Sequence, residues 1–253
     1  MSKLLEGKHA LILGIANKWS LAYAIAQAFS REGARLTLTY LDERQKEAIE
    51  TLSKDLNVAA LLPCDVTKDD QLAALTESLK GPVHAVVHSL AFANREDLSR
   101  PFIETSRAGF LLAQDVSAYS LVAVARAVAP LMTEGGSLST LTYLGATRVV
   151  TNYNVMGVAK ASLEAAVRYL ASEMGAKNIR VNAISAGPVK TASARAVKDF
   201  STILDTIQSR APLKRNTDPT EVADTAVFLA SDLGRGVTGN CLFVDAGMQV
   251  MGF

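Results

Sequence analysis

The sequence predicts an α/β chain whose strands form one doubly wound parallel sheet, about seven strands wide and flanked by helices. Three observations lead there. Short apolar runs alternate with longer stretches of helical spacing from one end of the chain to the other. The segment up to residue 41 already reads strand, loop, helix, strand, a βαβ unit whose crossover should be right-handed. No linker-like stretch, internal repeat or low-complexity segment divides the 253 residues, so a single domain over 1–253 is expected.

HALILG (9–14) is a strand closed by Gly14, and LAYAIAQAFSREG is the helix after it, with a glycine stop. GxGxxG is absent: Gly14 stands alone, with Ala16 and Ala22 as the small residues nearby. A helix beginning at Ser20 still offers free N–H groups and a positive dipole end, which suit a pyrophosphate. RLTLTYL (35–41) is the second strand, ERQKEAIETLSKDL a polar-faced helix, and VAALLPCDV (58–66) a buried strand ending at Asp65. At a strand's carboxyl end Asp65 lies along the ligand crevice of an open sheet, where it accepts from an adenine amino group; a turn or N-cap role before TKDD is the alternative. QLAALTESLKG leads to the strand VHAVVHSLAF (83–92), whose exit at Ser89, Leu90 and Ala91 permits close cofactor approach. Residues 109–132 read as one long helix with a broad apolar face, suited to packing on the sheet or on a neighbouring subunit. IRVNAISAGPV (179–189) is a strand that breaks at Gly187 and Pro188. Residues 190–217, rich in small, polar and basic side chains, suit a mobile helical lid over a substrate. EVADTAVFLASDLG and TGNCLFVDAG are the last helix and strand, which completes a Rossmann-like order.

A hydrophobic share of 49% and a charged share of 20% are ordinary for a globular enzyme. The net charge of +1, with Lys and Arg scattered among Asp and Glu, gives no case for nucleic acid. No apolar run reaches the roughly eighteen residues of a membrane span, Arg126 interrupts the longest helix, and the first residues are too quickly broken for a signal peptide. A cytoplasmic protein without membrane partners is expected. Cys64 and Cys241 form no CxxC, and His84 and His88 share a strand face without a third ligand, so no metal site is expected.

The chemistry concentrates in SLSTLTYLGATRVVTNYNVMGVAK (137–160), where a strand hands over to a helix. Tyr143 falls at the strand's carboxyl end, and Tyr153 opens the helix. Lys160 follows Tyr153 by seven positions, two helical turns on one face and roughly 10 Å of rise. Helical side chains lean toward the N-terminus, so the lysine stem is expected to carry its ammonium back toward the phenol. Taken singly these are ordinary strand tyrosines and a solvated lysine; together, after a dinucleotide-type start, they favour a site.

With GIANKWSLAYAIAQAF, CDV (64–66), HSLAFA (88–93), DVSAYS (115–120), RVNAISAGPVKT and KDF (198–200), this stretch resembles the short-chain dehydrogenase/reductase superfamily. It is most similar to that superfamily's divergent bacterial branch, the enoyl-acyl-carrier-protein reductases of the FabI type, over essentially the whole length. Ordinary short-chain reductases place the lysine four positions after the tyrosine, where this chain has Gly157; the seven-position spacing is that of the enoyl reductases, and Tyr143 matches their other active-site tyrosine. The chain departs from the branch at Ala91, Thr151 and Ala246, where glycine, proline and glycine are common.

The resemblance implies reduction of trans-2-enoyl thioesters on acyl carrier protein by NADH, in bacterial type II fatty acid synthesis, by a homotetramer. It gives Tyr153 the enolate oxygen, Lys160 the nicotinamide ribose, Tyr143 the acyl pocket and Ala93 the substrate border. It sets Gly14, Ser20 and Leu21 at the pyrophosphate, Leu41 at the adenosine, Asp65 and Val66 at the adenine, and Leu90 at the nicotinamide-side ribose. Val189, Lys190, Thr191, Ala192 and Ser193 close over the nicotinamide and phosphates. Asp42, with no Lys or Arg immediately at the turn, favours NADH over NADPH. Two other functions stay open. One is a carbonyl reductase, in which Thr140, thirteen positions before Tyr153, stands for the usual serine. The other is a non-catalytic dinucleotide-binding regulator on the same fold.

Overall fold

His9–Leu13 (β1) is buried at every residue because both faces of the sheet around it are covered. Its side chains alternate between two cores: Leu11 and Leu13 join one, Ala10 and Ile12 the other. Each such fully buried Leu or Ile contributes about 1.5–3 kcal/mol. The computed structural model describes residues 3–189 and 200–252. It completes the sheet with Arg35–Tyr40 (β2), Val58–Pro63 (β3), Ala85–His88 (β4), Gly136–Thr142 (β5), Ile179–Ala186 (β6) and Cys241–Val244 (β7). The strand order is β3-β2-β1-β4-β5-β6-β7, and every pairing is parallel. The doubly wound sheet of seven strands is therefore as the sequence predicts.

The helices are Leu21–Arg31 (α1), Glu43–Leu52 (α2), Asp69–Ser78 (α3), Arg95–Ser99 (α4), Arg107–Gln114 (α5), Ser120–Val128 (α6), Asn154–Met174 (α7), Phe200–Arg210 (α8) and Pro219–Ala230 (α9). α1 and α9 pack together over the Ala10 and Ile12 face, and α3, α6 and α7 cover the other. Three starts are capped by side chains: Asp42 on α2, Ser106 on α5, and a full capping box of Asp218 and Glu221 on α9. α1 differs. Its N-cap Ser20 makes no side-chain cap; the hydroxyl donates back to the Asn17 carbonyl at 2.6 Å.

Three expectations are corrected. β3 is shorter than 58–66 and only half-buried, because it is an edge strand paired with β2 alone. The long helix is not uniform: α5 and α6 are joined by a π-helical turn, Asp115–Tyr119, which inserts an extra residue. The whole stretch Arg107–Leu131 is long and apolar enough to cross a membrane by length and composition, contrary to the sequence reading. Half of its most apolar window is buried inside the protein, and Arg126 bonds Asp69 of α3 at 3.0 Å, so here it serves as a core helix.

Of the expected lid, residues 190–199 lie outside the described residues. The remainder is α8 and the turn after it, anchored by Ile207 and Ala211 against Ala246. Ala246 itself stands at φ 57, left-handed backbone, which accounts for the glycine common at that place in the similar branch.

Candidate active site

Strand order reverses between β1 and β4, and at such a switch point the flanking loops part into a crevice. Here it is a cleft of about 580 Å³ across the carboxyl ends of the strands. Gly14, Ser20, Leu21, Leu41, Asp65, Val66, Leu90 and Lys160 all line it, as expected. Val189 is not among its walls, and Lys190, Thr191, Ala192 and Ser193 lie outside the described residues. The sequence did not reveal Gln45, Phe92, Leu112 and Val116, which also line the cleft. The last two come from α5 and the π-helical turn, and read locally as plain helix.

Gly14 sits at φ 103, and a Cβ there would lie 2.1 Å from the Ser89 carbonyl oxygen, so both its conformation and its neighbour demand glycine. The uncapped start of α1 faces the same space, and the N–H groups of Leu21 and Ala22 meet no acceptor among the described residues. Asp65 makes the turn contacts that the alternative foresaw: Oδ1 accepts from the Thr67 amide at 3.0 Å and from its hydroxyl at 2.7 Å. It nevertheless remains on the cleft wall, next to Cys64, whose thiol burial pushes up to about 11.

At the other end, β5 delivers Leu141 and Thr142 to the cleft, and Tyr143 follows directly. Lys160 is buried, 4% exposed. Among the described residues its ammonium donates to the Leu141 carbonyl at 2.8 Å and not to the Tyr153 hydroxyl. Burial pushes its pKa down to about 8, against the opposing pull of Glu164. The rings of Tyr143 and Tyr153 meet edge to face, 5.0 Å between centroids and 75° between planes. Burial, with Asp245 nearby, pushes Tyr143 up to about 12; burial, with Tyr143 and Glu164, raises Tyr153 as well. Both are protonated donors at neutral pH. Neither lines the cleft; Tyr143 directly follows the cleft residue Thr142, and Tyr153 packs against Tyr143. Tyr153 is held between Asn152 at φ 65 and Asn154 at φ 43, and Asn154 ties down α4 by donating to the Leu98 and Arg100 carbonyls. Ala93 packs against the same small cluster as Tyr153.

The floor is fastened by two serines, Ser117 within the π-helical turn and Ser120 directly after it. Ser117 accepts from the Phe92 amide at 2.9 Å and donates to its carbonyl at 3.1 Å. Ser120 meets His88 Nε2 at 2.8 Å, while Thr140 meets His88 Nδ1 at 2.9 Å. His88 is fully buried, and burial followed by the Lys160 charge lowers its pKa to about 3, so it is neutral. Thr140 is 0% exposed and occupied by His88, which removes it as a serine-like donor to a substrate. No group of three or more potential metal ligands gathers among the described residues.

A crevice at the switch point of a doubly wound sheet, with Lys160 of α7 in its wall, fits the short-chain-reductase class of α/β protein. Comparison with known proteins is narrower. The family model described as enoyl-(acyl carrier protein) reductase matches residues 14–249. A Bacillus cereus protein named enoyl-[acyl-carrier-protein] reductase [NADH] FabI is 54% identical over 99% of this chain and 100% of its own. A Staphylococcus aureus protein of the same name but marked [NADPH] is 52% identical over 98% of each chain. The crystal structure of a Bacillus cereus enoyl-acyl carrier protein reductase with NADP+ and indole naphthyridinone matches with a TM-score of 0.97 at 54% identity, covering 99% of this chain and 100% of that one. The chain belongs to the enoyl-acyl-carrier-protein reductase family.

Proposed function

We propose that this protein reduces trans-2-enoyl thioesters carried on acyl carrier protein with NADH, as the cytoplasmic enoyl reductase of bacterial type II fatty acid synthesis. The observation that carries the reading is a cleft whose wall holds Asp65 and, on the β5 side, Thr142 and Lys160, with Tyr143 directly after Thr142 and edge to face with Tyr153. Its walls fit a dinucleotide. An uncapped helix start supplies N–H donors for the anionic middle, apolar side chains flank it, and the cleft runs from the exit of β3 to that of β5, four strand spacings or roughly 19 Å.

When bound, the reduced nicotinamide supplies the hydride that adds to the β-carbon. The Tyr153 hydroxyl donates to the thioester oxygen as that oxygen takes up enolate charge; one such donor is worth about 2.7–4 kcal/mol in the transition state. Lys160 spends one N–H on the Leu141 carbonyl and keeps the others for the nicotinamide ribose hydroxyls, while its charge adds positive potential beside the enolate. Tyr143 lines the acyl side and Ala93 borders it.

Crotonyl and acetoacetyl thioesters, each offered with NADH and with NADPH at equal concentration, test this. NADH oxidation with the enoyl thioester alone is expected, faster than with NADPH, because Asp42 and Glu43 stand at the exit of β2 where a 2′-phosphate would lie. Turnover of the ketone only would identify a carbonyl reductase, cofactor binding without turnover a regulator, and equal rates with NADPH would overturn the cofactor assignment. The cofactor is also the point on which the two named relatives differ.

The protein assembles, on this reading, as a homotetramer. Phe110 and Leu111 on α5 and Val158 and Tyr169 on α7 are exposed apolar residues that two-fold packing of these helices would cover. Light scattering at micromolar concentration should give the mass of four chains; a stable monomer refutes it.

A further inference from the structure

We propose that Glu164 is a positioning residue that holds Lys160 in its charged form. Lys160 and Glu164 lie four positions apart on α7, hence on one face, and they grip successive residues at the end of β5. The Lys160 ammonium donates to the Leu141 carbonyl at 2.8 Å, and the Thr142 hydroxyl donates to Glu164 Oε1 at 2.8 Å. The same carboxylate oxygen receives the Cys241 thiol of β7 at 3.8 Å, which fixes it from a second element. Glu164 makes no direct ion pair with Lys160 among the described residues, so it acts on the ammonium through space from a fixed position.

The other groups around this pair do not substitute for it. His88, from β4, is neutral; Tyr153 at the N-cap of α7 and Tyr143 after β5 are held protonated. The Cys241 thiol is pushed up to about 12 by burial and then by Glu164 itself. Asp245, beyond β7, acts on Tyr143, and Arg168, one turn further along α7, acts on Cys241. Glu164 is therefore the carboxylate that opposes the desolvation of Lys160, and desolvation already brings that lysine to about 8. The consequence for catalysis rests on the proposed role of Lys160 at the ribose.

The test follows Lys160 directly, by NMR of ε-13C-lysine-labelled, cofactor-free protein, with its signal identified by loss in Lys160→Arg. The parent should titrate near 8. Glu164→Gln should titrate about one pH unit or more lower, and Glu164→Asp close to the parent. In parallel, the NADH dissociation constant is measured against pH. Lys160 is charged below its pKa, so affinity should fall as pH rises through about 8 in the parent and about one pH unit earlier in Glu164→Gln, while the two agree at pH 6. An unmoved Lys160 midpoint in Glu164→Gln overturns the proposal. A midpoint that moves without NADH affinity following it leaves Glu164 as the holder of the charge and overturns the ribose role instead. Should Glu164→Gln not fold, Thr142→Val cuts the carboxylate's anchor; a lowered midpoint there supports the proposal and an unchanged one overturns it.

Discussion

Tyr153→Phe is expected to slow enoyl reduction by about 10²-fold to 10³-fold, the usual cost of losing one oxyanion donor, with NADH affinity unchanged. Phenylalanine keeps the ring, and the ring makes the structural contacts: the edge-to-face meeting with Tyr143 and the packing against the Val155 and Met156 cluster. Only the hydroxyl goes. Lys160→Ala should fail differently, with weaker NADH binding as well as slower turnover, because its ammonium is assigned to the cofactor; added NADH should recover only part of the rate. NADH dissociation constants with single-turnover enoyl reduction separate the two. If Tyr153→Phe reduces enoyl thioesters at the parent rate, the oxyanion role belongs to Tyr143 or to an ordered water.

Gly14→Ala is expected to abolish productive NADH binding and to destabilise the fold. The added methyl would lie 2.1 Å from Ser89 O and 2.7 Å from Ser89 C, both backbone atoms that cannot rotate aside, and the residue would have to keep φ 103. Left-handed strain of about 1–2 kcal/mol and overpacking of about 1–3 kcal/mol together give roughly 2–5 kcal/mol. Relief requires the exits of β1 and β4 to separate, and those exits are the floor of the cleft. Gly81 provides the control: it also has positive φ, at 80, but a Cβ there meets nothing within 4 Å, so Gly81→Ala should show the strain alone and bind NADH as the parent does. Urea midpoints and NADH titrations of both variants decide it. Parent-like NADH affinity in Gly14→Ala would move the cofactor away from this loop.

Most of the fold was legible because strands covered on both faces must be apolar throughout, and a run such as HALIL carries that requirement locally. The misjudged strand was β3. Nothing within Val58–Pro63 announces that it lies at an edge, since strand order is settled by crossovers elsewhere in the chain. The site divides the same way. Residues at strand exits, such as Gly14, Asp65 and Leu90, were found because position along a strand is a local property. Leu112 and Val116 were not, because DVSAYS has ordinary helical composition and its extra residue accompanies contacts of Ser117 and Ser120 with distant Phe92 and His88. The acceptor of Lys160 was equally hidden, since a backbone carbonyl leaves no mark in the residue code.

The two asparagines around Tyr153 give the N-Y-N triplet a meaning apart from side-chain chemistry. Asparagine is among the L-residues that most readily accept a mirror-image backbone, and here two of them bracket one residue of normal hand. The triplet thus specifies a double inversion of chain handedness that presents a single phenol. Glycine at either flank preserves that shape, and a β-branched residue such as valine opposes it, however well the tyrosine and lysine themselves are kept.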